Sequence, residues 1–431
     1  MGSVTATSIR EWEHLPIGPN DLPIDIANRL HTLAERETQR LRMPQPVLTR
    51  TAKPSLRAGQ VVGVLSVPGA SIEILPKIGG EGGEVRRALT RMLAVAWGIP
   101  VADSEPALLA TQRDDLLEVL IRLFADRLLV AVRRGLPHRY RFRQDDLPLL
   151  RGKLNVPRQL ARYAIRTDRL ACSFDELSVD TPLNRVLKAA VVRLAATTRS
   201  AANSRWLAEL VARFEFVGES ANPFAEPVRL DRTNTAFHRL HRMARLLLGR
   251  DWQSTTMGAV EGCALLFPMN GLFEEFVGLT LRAALSPRPV HLQHSGRYAL
   301  EGQHRRLFAL RPDIVVNGDL VIDTKWKELK PGEPTLGVEQ ADVYQMLAYA
   351  RAYEATRLVL LYPWHEGLDR PGLLRRWRIA GTSTAFDIAT VDVGKPDSVR
   401  LTLREIVGMD ATTTPIDGGV PGFSMDVAVR S

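Results

Sequence analysis

Apolar and polar positions follow two periods along this chain, and the period changes several times. Residues 1–45 read as a helical or mixed lead-in, with Leu30, Leu33 and Leu41 near helical spacing. From about 47 to 78 the pattern turns to β. VVGVLSV (61–67) and SIEILPKI (71–78) alternate and are split by Pro68-Gly69-Ala70, which predicts a hairpin. GGEGGE (79–84) reads as a flexible connection. Helical periodicity follows over 85–97 and 114–136. The second stretch opens on Asp114 and Asp115 and closes on Arg133, Arg134 and Gly135, as helix-dipole and C-cap preferences ask. LPLLRGKLNV (147–156) reads as strand or turn, and further helices are predicted over 182–198, 204–217 and 235–249. Near 260 the pattern changes again. A helix over 270–285 leads into strands around 290–327, then a helix over 339–353 and an apolar strand over 357–363.

That order predicts an α+β multidomain chain. Its parts are a mixed β/α N-terminal domain (1–170), a helical middle (171–258) and a C-terminal α/β domain (259–431). The length of 431 residues and the 45% apolar content suit such a protein. The net charge of +9 favours an anionic partner such as nucleic acid, although an Arg-rich composition accounts for the same charge. Cys172 and Cys263 are far apart and outside any CxxC or Cys/His cluster, so two reduced, buried thiols are expected. The N-terminus lacks an apolar signal core, and no apolar run is long enough to span a bilayer. A cytoplasmic protein without a membrane partner is expected. Gly152-Lys153 and Gly394-Lys395 lack the rest of a Walker A loop, so the chain itself is not expected to hydrolyse nucleotides.

Charge changes the picture most at RPDIVVNGDLVIDTKWK (311–327). Two apolar runs flank Asn317-Gly318, as in a β-hairpin, yet they carry Asp313, Asp323 and Lys325. Alternation puts Asp323 and Lys325 on one face, with the Thr324 carbonyl between them. A two-residue loop would set Asp313 opposite Ile322. A three-residue loop, Asn317-Gly318-Asp319, would set it opposite Asp323. Two carboxylates facing each other repel. A divalent cation between them reverses the sign, and hard oxygen ligands suit Mg2+ or Mn2+. Such an ion would polarise a phosphodiester, with Lys325 orienting the water or offsetting charge. Asp319 is therefore expected in the turn, with Asp313, Asp323 and Thr324 as the cation site.

Other residues converge more weakly. Glu274 lies on a helix entering the same module, beside Glu275 as the plain surface alternative. Gln345 and Tyr349 share a helix face at i, i+4 and are placed to orient Lys325 or contact a phosphate. His238 and His241 lack the adjacent acid of a zinc helix and read as surface or phosphate-contacting residues. Trp326 and Trp364 read as core or rim aromatics.

PD-x9-DTK followed by QMLAY resembles the PD-(D/E)xK nuclease superfamily. More narrowly, an ordered set of segments resembles the McrC family, the nuclease subunits of McrBC-type modification-dependent restriction systems. The segments are IEILPK (72–77), RGLPHRY (134–140), LLRGKL (149–154), DELSVDTPLNRVLK (175–188), MNGLFEEFV (269–277), RPDIVV (311–316), DTKWK (323–327) and YQMLAYA (344–350). The resemblance implies a Mg2+-dependent DNA endonuclease with a restriction-endonuclease-like C-terminal domain. Asp313, Asp323, Lys325 and Glu274 would be catalytic, and Gln345 and Tyr349 supporting. It also implies that the N-terminal domain docks on a McrB-like AAA+ GTPase hexamer, with double-stranded DNA as the substrate. The alternatives are a stand-alone or differently partnered defence nuclease, and an NTPase-activating adaptor that only binds DNA.

Overall fold

The two alternating runs near the N-terminus pair as the spacing asks. In the computed structural model, which describes residues 5–98, 116–165, 168–220, 222–248, 262–302 and 305–408, strands β5 (Val61–Val67) and β6 (Ala70–Leu75) form an antiparallel hairpin. β1 (Thr5–Arg10) joins β6 in parallel, and β10 (Cys263–Pro268) joins β5 antiparallel. The sheet order is β1-β6-β5-β10, so a strand far along the chain completes an N-terminal sheet. Gly63 permits that closure. Its φ is +132°, and a Cβ there would stand 1.9 Å from the Leu265 carbonyl oxygen. Helix α1 (Ile24–Arg40) covers one face, beside a small sheet of β2 (His14–Pro16), β4 (Ser55–Ala58) and β3 (Leu48–Arg50). The lead-in is thus mixed.

Helices α2 (Gly82–Ala96) and α3 (Leu116–Arg133) lie on the other face. α2 begins inside the Gly-rich run expected to be a flexible connection. The predicted start of α3 at Asp114 and Asp115 lies outside the described residues. Gly135 follows α3 with a φ of +113°, as its place in the sequence asks. α5 (Pro182–Thr197) and α6 (Ala201–Arg213) are capped by the Thr181 and Ser200 hydroxyls, and α7 (Thr235–Leu248) packs against α3 and α5.

An arm interrupts this helical region. β7 (Arg139–Leu147) pairs along its whole length with β9 (Leu170–Ser178), and β8 (Lys153–Leu154) and α4 (Val156–Tyr163) sit between them in sequence. The sequence reading assigned only a strand or turn here. Charged residues stud both strands and much of the arm is exposed, so the apolar signal of a core strand is missing. The expected boundary between 170 and 171 passes through β9.

The C-terminal sheet has the order β11-β14-β15-β16-β18-β17. Its strands are β11 (Val290–Leu292), β14 (Ile314–Val316), β15 (Leu320–Thr324), β16 (Arg357–Pro363), β17 (Gly372–Arg378) and β18 (Ala385–Val391). β15, β16 and β18 run parallel, and the outer strands are antiparallel. Helices α8 (Met269–Leu285) and α10 (Pro396–Val407) cover one face, and α9 (Gln340–Tyr353) covers the other. The period of two is visible in the cores. Ile314, Val316 and Ile322 face α8, whereas Val315 and Val321 face α9. A hairpin of β12 (Arg297–Glu301) and β13 (Arg306–Leu310) stands apart from the sheet and touches α9.

One apolar core joins Val62, Leu89, Phe124, Leu187, Phe273, Ile322 and Val391, residues from all three expected parts. The parts are therefore fused through packing rather than strung on linkers. The expected boundary near 258 and the tail after 408 lie outside the described residues. Among the described residues no helix is long and apolar enough to cross a membrane. Cys172 is buried with a free thiol.

Candidate active site

The turn of the 311–327 hairpin has three residues. β14 and β15 pair as Ile314↔Ile322, Val315↔Val321 and Val316↔Leu320, which leaves Asn317, Gly318 and Asp319 as the loop. Asn317 and Gly318 carry φ values of +52° and +91°, the left-handed region both tolerate. The Asp319 carbonyl and carboxylate accept hydrogen bonds from Thr356 at the entry to β16. Carried back one residue, this register sets Asp313 opposite Asp323.

Each carboxylate is held differently. Asp313 Oδ2 accepts from the Thr324 N–H and from the Thr324 hydroxyl, both at 2.7 Å. Thr324 was expected to act through its carbonyl, and its observed contacts here are these two donors. Asp323 is only 2% exposed. Its Oδ2 lies 2.8 Å from the Lys325 ammonium as an ion pair, without the alignment of a hydrogen bond. Lys325 donates to Gln345 Oε1 at 2.9 Å and stands 3.3 Å from Asp342 Oδ1. The Gln345 amide donates to the Tyr349 hydroxyl at 2.8 Å and more weakly to Asp323 Oδ1 at 3.4 Å. Tyr349 in turn donates to the Arg311 carbonyl at 3.2 Å. Gln345 and Tyr349 do share one face of α9, and that face is turned to the hairpin.

Glu274 approaches from α8. Its carboxylate accepts from Gln293 Nε2 at 2.8 Å, and Gln293 accepts from Arg311. Gln293 itself bends into the left-handed region and donates its N–H to the Asp313 carbonyl. The three acids feel one another. Burial, then the charge of Glu274, pushes Asp313 up to about 6 despite the two Thr324 donors. Burial, then Asp313, pushes Asp323 up to about 6 against the pull of Lys325. Burial and the Asp323 charge raise Glu274 as well, with Gln293 and Arg311 opposing. Burial works against the Lys325 charge, but Asp323 and Asp342 outweigh it and the pKa rises. Burial pushes the Tyr349 phenol up to about 12.

This arrangement has a deficit of positive charge. Asp323 shares the Lys325 ammonium with Asp342, Asp313 and Glu274 have no ion pair among the described residues, and Asp323 Oδ2 is buried without an aligned donor. Among the described residues no three His, Cys, Asp or Glu side chains close into a ready cation cage. The donors that Asp313 and Asp323 present are hard carboxylate oxygens, the type that Mg2+ takes. All of the expected residues Glu274, Asp313, Asp323, Thr324, Lys325, Gln345 and Tyr349 meet here. Glu275 does not join them, and burial raises its carboxyl while Arg242 lowers it.

Three participants escaped the sequence reading. Asp342 lies three residues before Gln345, a helical offset that flags a shared face. Gln293 sits at a short edge strand with no local signal. Glu11 comes from the far end of the chain. It is 1% exposed and accepts from the Trp326 indole at 2.9 Å and from the Lys77 N–H at 3.1 Å. Gln60 donates to the Trp326 carbonyl at 2.6 Å, and the Trp326 ring packs on Phe273 at 5.3 Å. Trp326 thus ties the Lys325 end of β15 to residues flanking β1 and β5 and to the neighbour of Glu274. The histidine pair splits. His238 Nε2 bonds the Asp231 carbonyl and Asn234, but His241 is buried rather than on the surface.

A family model described as McrBC 5-methylcytosine restriction system component matches residues 56–363. No protein of curated function matches. Among solved structures, the chain resembles one in the refined half-complex from the tetradecameric assembly of Thermococcus gammatolerans McrB AAA+ hexamers with bound McrC. The TM-score is 0.72 at 23% identity, over 94% of this chain and 99% of that one. It also resembles a chain in the cryo-EM structure of the Thermococcus gammatolerans McrBC complex, with a TM-score of 0.53 at 25% identity, over 65% of this chain and 88% of that one.

Proposed function

The chain belongs to the McrBC family of restriction-system components, and from that premise we propose that it is a DNA endonuclease subunit of the PD-(D/E)xK kind, dependent on Mg2+. The observation that carries the reading is the set of mutually repelling acids, Asp313, Asp323 and Glu274, gathered around Lys325. Asp313, Asp323 and the Thr324 carbonyl would hold the Mg2+ ion, which supplies polarisation of the scissile phosphodiester and a more acidic water. Thr324 keeps Asp313 Oδ2 occupied, so Asp313 presents its other oxygen. Gln345, Asp323 and Asp342 aim the Lys325 ammonium at the place where negative charge grows on the phosphate. Tyr349 locks Gln345, and Gln293 holds Glu274.

The partner in this reading is a McrB-like AAA+ hexamer, and the N-terminal part docks on it. Support for docking comes from the arm. Tyr140, Phe142, Leu149, Leu160 and Ile165 are all exposed there, interleaved with Arg141, Arg143 and Arg162. An apolar and basic surface of this kind marks a protein interface. The two roles separate by mutation. Asp323→Ala should abolish Mg2+-dependent cleavage of double-stranded DNA by the assembled complex and leave stimulation of partner NTP hydrolysis intact. Phe142→Asp with Leu160→Asp should abolish that stimulation, and with it cleavage by the assembled complex. Cleavage that survives Asp323→Ala would sink the site assignment.

A further inference from the structure

A cavity of about 970 Å3 opens beside the candidate active site, between the helical middle and the C-terminal sheet. Asp313, Glu274, Glu275 and Gln293 line it. So does a single face of α7, where His238, His241, Arg242 and Arg245 recur at i, i+3, i+4 and i+7. The lining therefore gathers acids and two arginines, and Arg242 acts on the Glu275 charge. Arg242 and Arg245 are exposed, and among the described residues neither has a hydrogen bond or a salt bridge. Arg245 only stacks over Phe224, at 5.6 Å.

His241 adds a second, independent mark. It is 7% exposed, faces the cavity and has no hydrogen-bond partner among the described residues. Burial, then Arg245 and His238, pushes its pKa down to about 4, so the ring is neutral. A neutral imidazole offers one donor and one acceptor to an uncharged polar edge. Both ring nitrogens lack a partner among the described residues and open to the cavity, where a ligand edge can use them. Phe267, Leu272 and Leu292 give the cavity an apolar floor. The volume is that of a small-ligand pocket, enough for a nucleotide or two and too small for a duplex.

We propose that this cavity holds a single nucleic-acid strand next to the phosphate to be cut. Arg242 and Arg245 take backbone phosphates, and an unpaired base lies over the apolar floor within reach of His241. The inference rests on the nuclease reading of Asp313, Asp323 and Glu274. It deepens that reading, because the strand must leave its duplex pairing locally to enter.

The test is anisotropy of a short fluorescein-labelled oligo(dT) on the full chain, with Ca2+ in place of Mg2+, across a salt series. Arg242→Ala/Arg245→Ala should weaken binding about tenfold or more and lower the slope of log K against log salt by about 1.4, for two lost single-strand phosphates. Arg36→Ala/Arg400→Ala removes equal charge from exposed helix positions away from the cavity and should stay within about twofold of wild type. An abasic strand of equal length should bind the wild type more weakly than oligo(dT) does. Alanine favours an exposed helix, so folding should hold, and circular dichroism checks it. The proposal is overturned if the Arg242/Arg245 variant binds like wild type, if it loses no more than the Arg36/Arg400 control, or if the wild type does not bind. Mg2+-dependent cutting by the wild-type complex is read in parallel. Arginine-dependent binding without cutting would remove the nuclease reading alone, whereas cutting with arginine-independent binding would remove the cavity alone.

Discussion

Asp387 on β18 and Asp323 on β15 are both buried in the same sheet, with only β16 between their strands. Asp387 is surrounded by cations. Arg357 donates to it at 2.7 Å, and Arg376 donates to both of its oxygens at 2.8 and 2.9 Å. Asp323 has one ammonium, which it shares with Asp342, and two further acids press on it. A buried carboxylate with its full set of donors belongs to the fold. One set among other carboxylates is held in place at a cost, and such costs concentrate where a cation or a reaction is served.

The sharpest break of that comparison exchanges the two residues' fates. Asp323→Ala should cut Mg2+-dependent cleavage by at least about 10³-fold, while the thermal midpoint stays or rises because a repelling charge is gone. Asp387→Ala should lower stability by about 3 kcal/mol in denaturant titration, because it strands two guanidiniums, one of them half exposed. Its cleavage should fall only with the folded fraction. If both variants merely unfold the chain, the contrast fails.

Glu11, which holds Trp326 beside Lys325, offers a pH test at a buried acid. Burial holds its carboxyl protonated up to about 7, against 4.5 for the free group. At acid pH below 4.5 both folded and unfolded chains keep the proton. Between 4.5 and about 7 only the unfolded chain releases it, so the folded state loses stability as pH rises through that window. Glu11→Gln should therefore gain stability relative to wild type on going from pH 5 to pH 8, by up to about 3 kcal/mol. A flat difference across that range would refute the buried, protonated Glu11.

Mg2+ should stabilise the wild type by about 2.7 kcal/mol at one hundred times its Kd, read as a raised thermal midpoint, and leave Asp313→Asn/Asp323→Asn unmoved. Equal shifts in both proteins would place the ion elsewhere. The smallest effect is expected at Thr324→Val. It removes one donor to Asp313 and keeps the N–H, so about 1 kcal/mol should be lost. Thr324→Ser should restore most of it.

Legibility varied with how local the signal was. The hairpin at 61–75 and most helices were readable because their period and caps lie within a few residues. β17, β18 and α10 were passed over. The run of exposed, Arg-rich residues at the end of β17 hides its pairing, and β18 is readable only beside the parallel strand it joins. The arm escaped for the same reason. His241 was placed on the surface because its Arg-rich neighbours suggest an exposed face, yet the helix turns that position toward a cavity.

By itself the sequence narrowed the hairpin to two registers and placed Asp313, Asp323 and Lys325 on it, because strand alternation and left-handed tolerance act over a few bonds, and the strand pairing decided for the three-residue turn. It also determined the family, through short segments kept in order. Tertiary structure alone decided what surrounds those acids. Glu11 reaches Trp326 across 315 residues, Gln293 reaches Glu274 across 19, and the shared core brings the basic face of α7 to the same cavity as the acids. Such contacts depend on how whole elements bury their apolar faces against one another. No local spacing along the chain encodes which distant charge then arrives beside which.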